Sequence, residues 1–203
     1  EFSRSLIKTA MEGAGAEMVN GVWNFNGLPI RLKFIVRIED ERREIGDLIR
    51  AELREAGFQV EPVYQNFAPA ILTVYSSNPQ TFGWHLYTEG WGRSAPDRYD
   101  FSSINQFHAP WTGNMPGWRE AGFWQYENDE LDNVGKRIFT GQFRNLEERN
   151  ELYRRSTQIG LEDSVRLWVA TVENSFAADL KLVGVTEDLV AGPKSPWTLR
   201  EAS

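Results

Sequence analysis

The chain of 203 residues contains no cysteine, which excludes disulfide bonds, thiolate metal sites and cysteine nucleophiles. Histidine is nearly absent as well. The only two, His85 and His108, lie on different predicted elements, so they make a weak case for a zinc site. A polar position in a loop or a sheet is the favoured interpretation of both. We therefore expect neither a metal nor a cofactor.

The chain also has fewer positive than negative side chains, with 22 Lys and Arg against 29 Asp and Glu, a net charge of −7 and a pI near 5.0. This balance argues against nucleic acid and anionic membrane as main partners, because both are bound mainly through clusters of Lys and Arg. No apolar run approaches the roughly 18 residues of a membrane span, so direct membrane insertion is not expected. The first residues lack the basic start and apolar stretch of an export signal.

Tryptophan, in contrast, is abundant, with eight in the chain. Five of them fall in one segment that is otherwise rich in Gly, Pro, Asn and Ser: Trp84, Trp91, Trp111, Trp118 and Trp124. A core seldom needs indoles so densely placed, so the segment predicts an ordered, irregular surface lined by aromatic rings. Two tryptophans are not expected at this surface: Trp84, from the same segment, and Trp168, which lies outside it. Both fall in predicted strands and are expected in the core.

The hydrophobic periodicity predicts an α/β fold. Asn26-Gly27 between alternating apolar runs predicts a hairpin whose second strand covers residues 30–38. Asp40 can cap a helix over residues 41–56, and a strand over 58–64 completes a β–α–β unit with parallel strands. In strand 30–38 the alternation places Phe34 and Val36 on one face and Arg37 on the other. The remaining predicted elements are helices 3–13, 67–77, 128–139 and 146–162, strands 82–88 and 165–172, and a short strand and turn within residues 180–190.

Four segments in order resemble the C-terminal lobe of the family 5 solute-binding proteins of ABC importers, which capture peptides, nickel complexes and some oligosaccharides. The segments are GVWNFNGLPIRLKFIV, ERREIGDLIRAELREAGFQVEP, FGWHLYTEGWG and the long stretch from YENDELDNV to SVRLWVA. No single segment is specific to the family; their order and spacing carry the resemblance. It covers nearly the whole chain.

The resemblance implies a mixed sheet flanked by helices, one lobe of a periplasmic-binding-protein type II-like fold. Residues 1–164 correspond to the ligand-binding lobe, and residues 165–203 to a return segment that packs on the other lobe. The implied protein is extracytoplasmic, anchored at the membrane in its intact form, and is not an enzyme. Its partners are an oligopeptide or oligosaccharide and the membrane permease. We expect one jaw of a clamp, which binds its solute weakly or not at all by itself.

The resemblance places the ligand cleft where Gly90-Trp91-Gly92 follows a strand. Glycines let the backbone approach a ligand closely, and the indole offers a flat, stiff surface. Peptide-binding members often carry an aspartate where this chain has Ser94, so this position lacks the carboxylate that pairs with a terminal ammonium in those members. The expected ligand-binding residues are Trp91, Arg93, Ser94, Asp97, Trp111 and Trp118. Arg93 and Asp97 could instead form only a surface ion pair.

Two functions of other classes remain open. Glu89 lies at a strand end beside Trp91, as a catalytic carboxylate of a glycoside hydrolase does, although the sequence identifies no second carboxylate. Alternatively, the aromatic segment could bind a partner protein, which would make the chain a structural interaction domain.

Overall fold

A computed structural model describes residues 2–90 and 126–172, together with the single residues 177, 179, 181 and 183. The chain divides into two compact units. We call residues 2–90 the first region and residues 126–172 the second region, and each is described by itself.

The first region opens with helix α1, Phe2–Gly13, as predicted. No residue of α1 is buried, and Phe2 and Leu6 are exposed. An ion pair between Arg4 Nη2 and Glu55 Oε2, 2.6 Å apart, links the helix to a later part of the region.

An antiparallel sheet follows, with β1 at Glu17–Val19, β2 at Val22–Phe25 and β3 at Leu28–Pro29, in the order β1-β2-β3. Asn26 and Gly27 have φ values of +51° and +76°, as the two central residues of a type I′ turn require. The predicted turn is confirmed, but the predicted second strand over residues 30–38 is wrong as the hairpin partner, because β2 pairs with Leu28–Pro29 instead. Proline has no N–H with which to extend the ladder.

The long predicted strand belongs to a second sheet, as β4 at Arg31–Arg37. Ile30 joins the two sheets: its N–H donates to Trp23 O (2.8 Å), and its carbonyl accepts from Gln59 N (3.1 Å). β5 at Gln59–Gln65 and β6 at Leu86–Tyr87 both pair parallel to β4, giving the order β5-β4-β6. The β–α–β unit and the α/β class are therefore confirmed.

Helix α2, Arg42–Glu55, connects β4 to β5 and packs closely on the central strand. A Cβ atom on Gly46 would lie 2.6 Å from Val36 Cγ1, so only glycine allows this approach. Gly57 ends the connection at φ +101°. Its carbonyl accepts from Trp23 N (2.8 Å), and Trp23 Nε1 donates to Ala56 O (2.9 Å). These two hydrogen bonds attach the antiparallel sheet to the end of α2, and Trp23 itself is only 2% exposed.

The core of the first region lies between β4 and helix α3, Phe67–Ser76. Ile35, Ala70 and Val74 are buried there, and Trp84 and Tyr87 pack against them partly exposed. Trp84 thus contacts the core as predicted, although it precedes β6 instead of lying within a strand. β6 is shorter than the predicted strand because Pro79–Thr81 form a 3₁₀ turn and Phe82 adopts φ +51°.

The second region contains two predicted helices, α4 at Asp129–Phe139 and α5 at Leu146–Asp163. Asn128 and Asn145 cap them by accepting from the backbone N–H of Leu131 and Glu148, each at 2.9 Å. The helices pack through apolar side chains at helical spacing: Leu131, Val134, Ile138, Leu152 and Ile159.

The predicted strand at residues 165–172 is wrong, because the backbone there forms neither strand nor helix. Trp168 is 52% exposed, so its assignment to a core is wrong too. Leu167 and Val169 are exposed with it. A β-prone run becomes a strand only when a neighbouring strand accepts its hydrogen bonds, and sequence alone does not show whether one is present.

Among the helices that the structure describes, none has the length and apolarity needed to cross a membrane.

Candidate functional site

The candidate site is the carboxyl edge of the parallel sheet, where β4, β5 and β6 end together. Arg37 at the end of β4 is in register with Gln65 at the end of β5. Thr88, which follows β6, donates its N–H to Ile35 O (3.0 Å), and its Oγ1 accepts from Arg37 N (2.8 Å). Ligands of α/β proteins bind beyond this edge of the sheet, because the loops there can vary while the strands remain rigid.

Arg37 is the central charged residue of this edge and is only 5% exposed. Its Nε donates to Glu39 Oε2 (2.8 Å) and its Nη1 to Tyr87 Oη (3.2 Å). The guanidinium also lies over the Phe67 ring, 4.7 Å from the centroid. A buried cation is tolerated only when it is paired and hydrogen-bonded, and these three neighbours meet that condition.

Glu39 connects the end of β4 to the start of α3. One oxygen accepts from Arg37 and the other from the backbone N–H of Phe67, the first residue of α3. The side chain of Asn66, at the cap position of α3, forms no capping hydrogen bond, so Glu39 supplies the acceptor instead. The hydrogen bond from Arg37 lowers the pKa of Glu39 to about 2, so Glu39 is a carboxylate at neutral pH.

A second acid, Glu89, lies at this edge directly after Thr88. The Tyr75 hydroxyl on α3 donates a hydrogen bond to Glu89 Oε1. Burial raises the pKa of the neighbouring Tyr87 phenol, which therefore stays protonated. The structure gives Glu89 a tyrosine partner on α3.

The edge is completed by the start of α2. Asp40 accepts from the backbone N–H of Arg42 (3.1 Å) and binds the Arg42 guanidinium through both carboxylate oxygens. The predicted capping role of Asp40 is thus confirmed in part, since its bond is to Arg42 N while Glu41 holds the cap position. A Cβ atom on Gly90 would lie 3.3 Å from Arg42 Nη1, so glycine lets the chain leave β6 close to this ion pair.

The predicted ligand-binding residues all lie outside the described residues. They are Trp91, Arg93, Ser94, Asp97, Trp111 and Trp118. The described chain reaches Gly90 at the carboxyl edge, one residue before Trp91.

Sequence reasoning missed Arg37, Tyr75 and Tyr87. The alternation of β4 predicted Arg37 on a polar face, yet it is buried because both faces of a central parallel strand are covered. One signal was available: an arginine two residues before a glutamate, at the end of an otherwise apolar strand. Phe67 and Tyr87, which contact Arg37, come from distant parts of the sequence, so no local pattern shows them.

His85 lies further from the edge and acts as part of the sheet. Its Nδ1 accepts from Lys33 N (2.9 Å), while its backbone N–H donates to Lys33 O (2.9 Å). Burial, helped by the nearby Lys33 charge, lowers the pKa of His85, which favours the neutral ring that this hydrogen bond requires. Within residues 2–90 and 126–172, no cluster of three or more His, Asp or Glu side chains could hold a metal ion.

Comparison with known proteins gives matches in structure only. No family model matches the sequence, and no curated protein matches it. Among solved structures, the oligopeptide-binding protein AppA from Bacillus subtilis, in complex with a nonapeptide, is 21% identical with a TM-score of 0.55; the match covers 77% of this chain and 30% of AppA.

Two nickel-related structures match in the same way. The nickel ABC transporter from Bacillus halodurans is 14% identical with a TM-score of 0.58, over 79% of this chain and 30% of its own. NikZ from Campylobacter jejuni, in complex with Ni(L-His), is 19% identical with a TM-score of 0.51, over 75% and 29%.

The chain has the fold of part of these ABC-importer solute-binding proteins, so the resemblance in its sequence is confirmed at the level of the fold. It spans about 30% of the length of the structures that it matches.

Proposed function

We propose that this chain is a ligand-binding lobe of an extracytoplasmic solute-binding protein, which captures a small molecule and delivers it to the permease of an ABC importer. One observation carries the proposal: the order of helices and strands follows the fold of an oligopeptide-binding protein over 77% of this chain. The proteins matched are binding and transport proteins, which supports capture rather than catalysis.

The carboxyl edge of the parallel sheet is the part of the first region suited to hold one side of a solute. Its charged groups at β4 and α2 are already neutralised within the chain, Arg37 by Glu39 and Arg42 by Asp40. Such pairs hold a rigid, polar surface in place without leaving an uncompensated charge. The chain then passes through Gly90 to Trp91, whose indole we propose as the adjoining wall.

An oligopeptide or an oligosaccharide is the proposed solute. AppA is complexed with a nonapeptide. The tryptophans at positions 91, 111 and 118 favour a cargo that stacks on indole, and both the C–H faces of sugars and extended peptides do so. We propose Arg93, Ser94 and Asp97 as the polar partners of the same ligand.

We further propose that residues 1–164 form this lobe and that residues 165–203 pack on another lobe of a longer protein. The exposure of Leu167, Trp168, Val169 and Val172 supports this proposal, because such a run of apolar side chains is suited to burial against a partner surface. In binding proteins that close two lobes about a hinge, each lobe supplies part of the contacts. This chain alone is then expected to bind in the millimolar range if the complete protein binds in the micromolar range.

The experiment is a binding panel on this chain, with a nonapeptide and a linear oligosaccharide as probes and ligand-observed NMR as the readout. Trp91→Ala is the test variant, and Trp168→Ala is the matched control, since it removes an indole that is already exposed. We expect one probe to bind, Trp91→Ala to weaken it by about tenfold or more, and Trp168→Ala to leave it unchanged. Equal affinities in the two variants would contradict the assignment of Trp91.

A hydrolase with Glu89 as its catalytic carboxylate is the alternative. The hydrogen bond from Tyr75 is compatible with a positioned acid. Incubation with chromogenic glycosides separates the two functions: the binding-protein proposal predicts no turnover, while turnover that disappears in Glu89→Ala would establish the hydrolase.

A further inference from the structure

A cavity of about 530 Å³ lies at the opposite end of the parallel sheet from the carboxyl edge. It is lined by Val22, Arg50, Arg54, Phe58, Gln59 and Val60. Gln59 begins β5 and Gln65 ends it, so at about 3.3 Å per residue the two ends of the strand are roughly 20 Å apart. The cavity is therefore separate from the proposed solute site.

The walls of this cavity are fixed to one another by backbone hydrogen bonds. Trp23, next to Val22, binds the carbonyls of Ala56 and Gly57, between the end of α2 and the start of β5. Phe58 N donates to Leu53 O (3.0 Å). Because these bonds join β2, α2 and β5, the cavity is already formed without a ligand, as small-molecule sites usually are.

Two arginines line the cavity from successive turns of α2. Arg50 and Arg54 are four residues apart and so lie on the same side of the helix. In the part of the chain that the structure describes, neither forms an ion pair within 4.0 Å, even though carboxylates outnumber cations in the sequence. The adjacent Glu55 is paired with Arg4 instead.

The Arg50 side chain interacts with the Tyr64 hydroxyl, but within residues 2–90 and 126–172 its Nε does not take part in a hydrogen bond. This N–H group is buried and, among the described residues, has no hydrogen-bond acceptor. Such a donor is destabilising unless an acceptor reaches it. Asp47, one turn earlier on α2, instead accepts a hydrogen bond from the Tyr64 hydroxyl. A ligand carboxylate in the cavity would give the Arg50 and Arg54 side chains the ion-pair partner that the described residues do not.

Helix electrostatics alone account for only one of these features. Arg54 lies in the last turn of α2, where a cation interacts favourably with the helix dipole. That role explains neither the absence of an ion pair at Arg50 among the described residues nor the apolar wall formed by Val22, Phe58 and Val60.

We propose that this cavity binds a small amphipathic anion, a carboxylate carried on an apolar body. The planar guanidinium groups of Arg50 and Arg54 match the geometry of a carboxylate, and the apolar wall holds the body of the ligand. The volume falls within the range of small-molecule sites. This second site is independent of the solute proposed for the carboxyl edge.

The test uses the 203-residue chain and three probes: benzoate, the neutral benzamide of similar shape, and acetate, which has the charge without the apolar body. Binding is followed at low ionic strength through the amide NMR shifts of Phe58, Gln59 and Val60. Arg50→Gln and Arg54→Gln are the test variants. Arg154→Gln is the matched control, because it removes the same charge from an exposed position in the second region.

We expect saturable binding of benzoate that is about tenfold or more weaker in each test variant and unchanged in Arg154→Gln. Benzamide and acetate should each bind about tenfold or more weakly than benzoate. Arg54 is exposed, so Arg54→Gln should fold normally and keeps the test valid if Arg50→Gln does not fold. The proposal is overturned if benzoate does not saturate these shifts, if benzamide or acetate binds as tightly, or if Arg54→Gln binds like the unmodified chain.

Discussion

The two regions contain ion pairs with similar distances between Nε and the carboxylate oxygen but in different surroundings. In the first region Arg37 Nε lies 2.8 Å from Glu39, and the Arg37 side chain is 7% exposed. In the second region Arg155 Nε lies 2.6 Å from Glu130, and the Arg155 side chain is 41% exposed. The hydrogen bond lowers the pKa of the carboxylate in both pairs. Burial, rather than distance, decides how much each pair matters to the fold.

The regions also differ in how far apart in sequence the residues lie that hold their helix and strand ends. The second region consists of two capped helices whose caps join residues three positions apart. In the first region the contacts of Arg37 with Thr88 and Tyr87 join residues about fifty positions apart. The strand ends of the first region therefore depend on buried polar groups brought together by the fold, whereas the helix starts of the second region depend on residues close in sequence.

The largest expected effect is that of Arg37→Ala. It leaves the Glu39 carboxylate and the Tyr87 hydroxyl without their partner and opens a gap beside Phe67, so we expect the free energy of unfolding to fall by about 3 kcal/mol. Arg155→Ala, which breaks an exposed pair, should change it only slightly. Urea unfolding followed by circular dichroism measures both, and equal losses would remove the contrast between the regions.

Gly46→Ala tests the close packing of α2 on β4. Alanine improves helix propensity by about 1 kcal/mol, but its Cβ would lie 2.6 Å from Val36 Cγ1, and Val36 is fully buried with no space to move. The cost of overpacking should exceed this gain, so we expect the free energy of unfolding to fall by about 1–2 kcal/mol in thermal or urea unfolding. The matched control is Gly13→Ala, where no atom lies within 4 Å of the new Cβ, and it should be neutral or stabilising. A stabilising Gly46→Ala would contradict this packing.

Asn145→Ala tests the local character of the second region. It removes the acceptor for Glu148 N at the start of α5, and we expect a loss of about 1 kcal/mol. Asn145→Asp keeps an acceptor in place and should restore most of the stability. If both variants lost the same amount, the cap would not be the cause.

The smallest expected effect is a pH dependence from His85. Because its pKa is lowered in the folded state, the unfolded chain binds the proton more readily, and stability is lost as the pH falls below the ordinary histidine value near 6.5. In His85→Asn, Oδ1 can accept from Lys33 N but does not titrate in this range. Subtracting the unfolding curves of the two proteins between pH 7.5 and about 5 cancels the shared carboxylates. We expect the variant to lose less stability on acidification; parallel curves would contradict this role.

The sequence predicted the local structure well and the contacts of the site poorly. The helices α1 to α5 and the Asn26-Gly27 turn follow from short-range patterns, and the structure confirms them. The β–α–β unit was predicted because the hydrophobic periodicity changes from two to 3.6 and back. The parallel pairing of β4 and β5 confirms it. These signals depend on neighbours within a few residues.

Strand pairing and burial could not be obtained in this way. Residues 165–172 have a strand-like composition but no strand, and β3 ends at Pro29 where the alternation continues. Arg37 is buried because α3 and β6 cover the end of β4, which no pattern within β4 could reveal. The predicted ligand residues from Trp91 to Trp118 lie outside the described part of the chain and stay predictions.

The most direct test of the central claim is to locate the bound solute on the first region by amide NMR, using the probe that binds in the panel of peptide and oligosaccharide. If the carboxyl edge holds the solute, the largest shifts should fall on Glu39, Asp40 and Thr88 to Gly90, and they should disappear in Trp91→Ala while the sheet remains folded. Shifts confined to other surfaces, or unchanged in Trp91→Ala, would show that the carboxyl edge is not the site of capture.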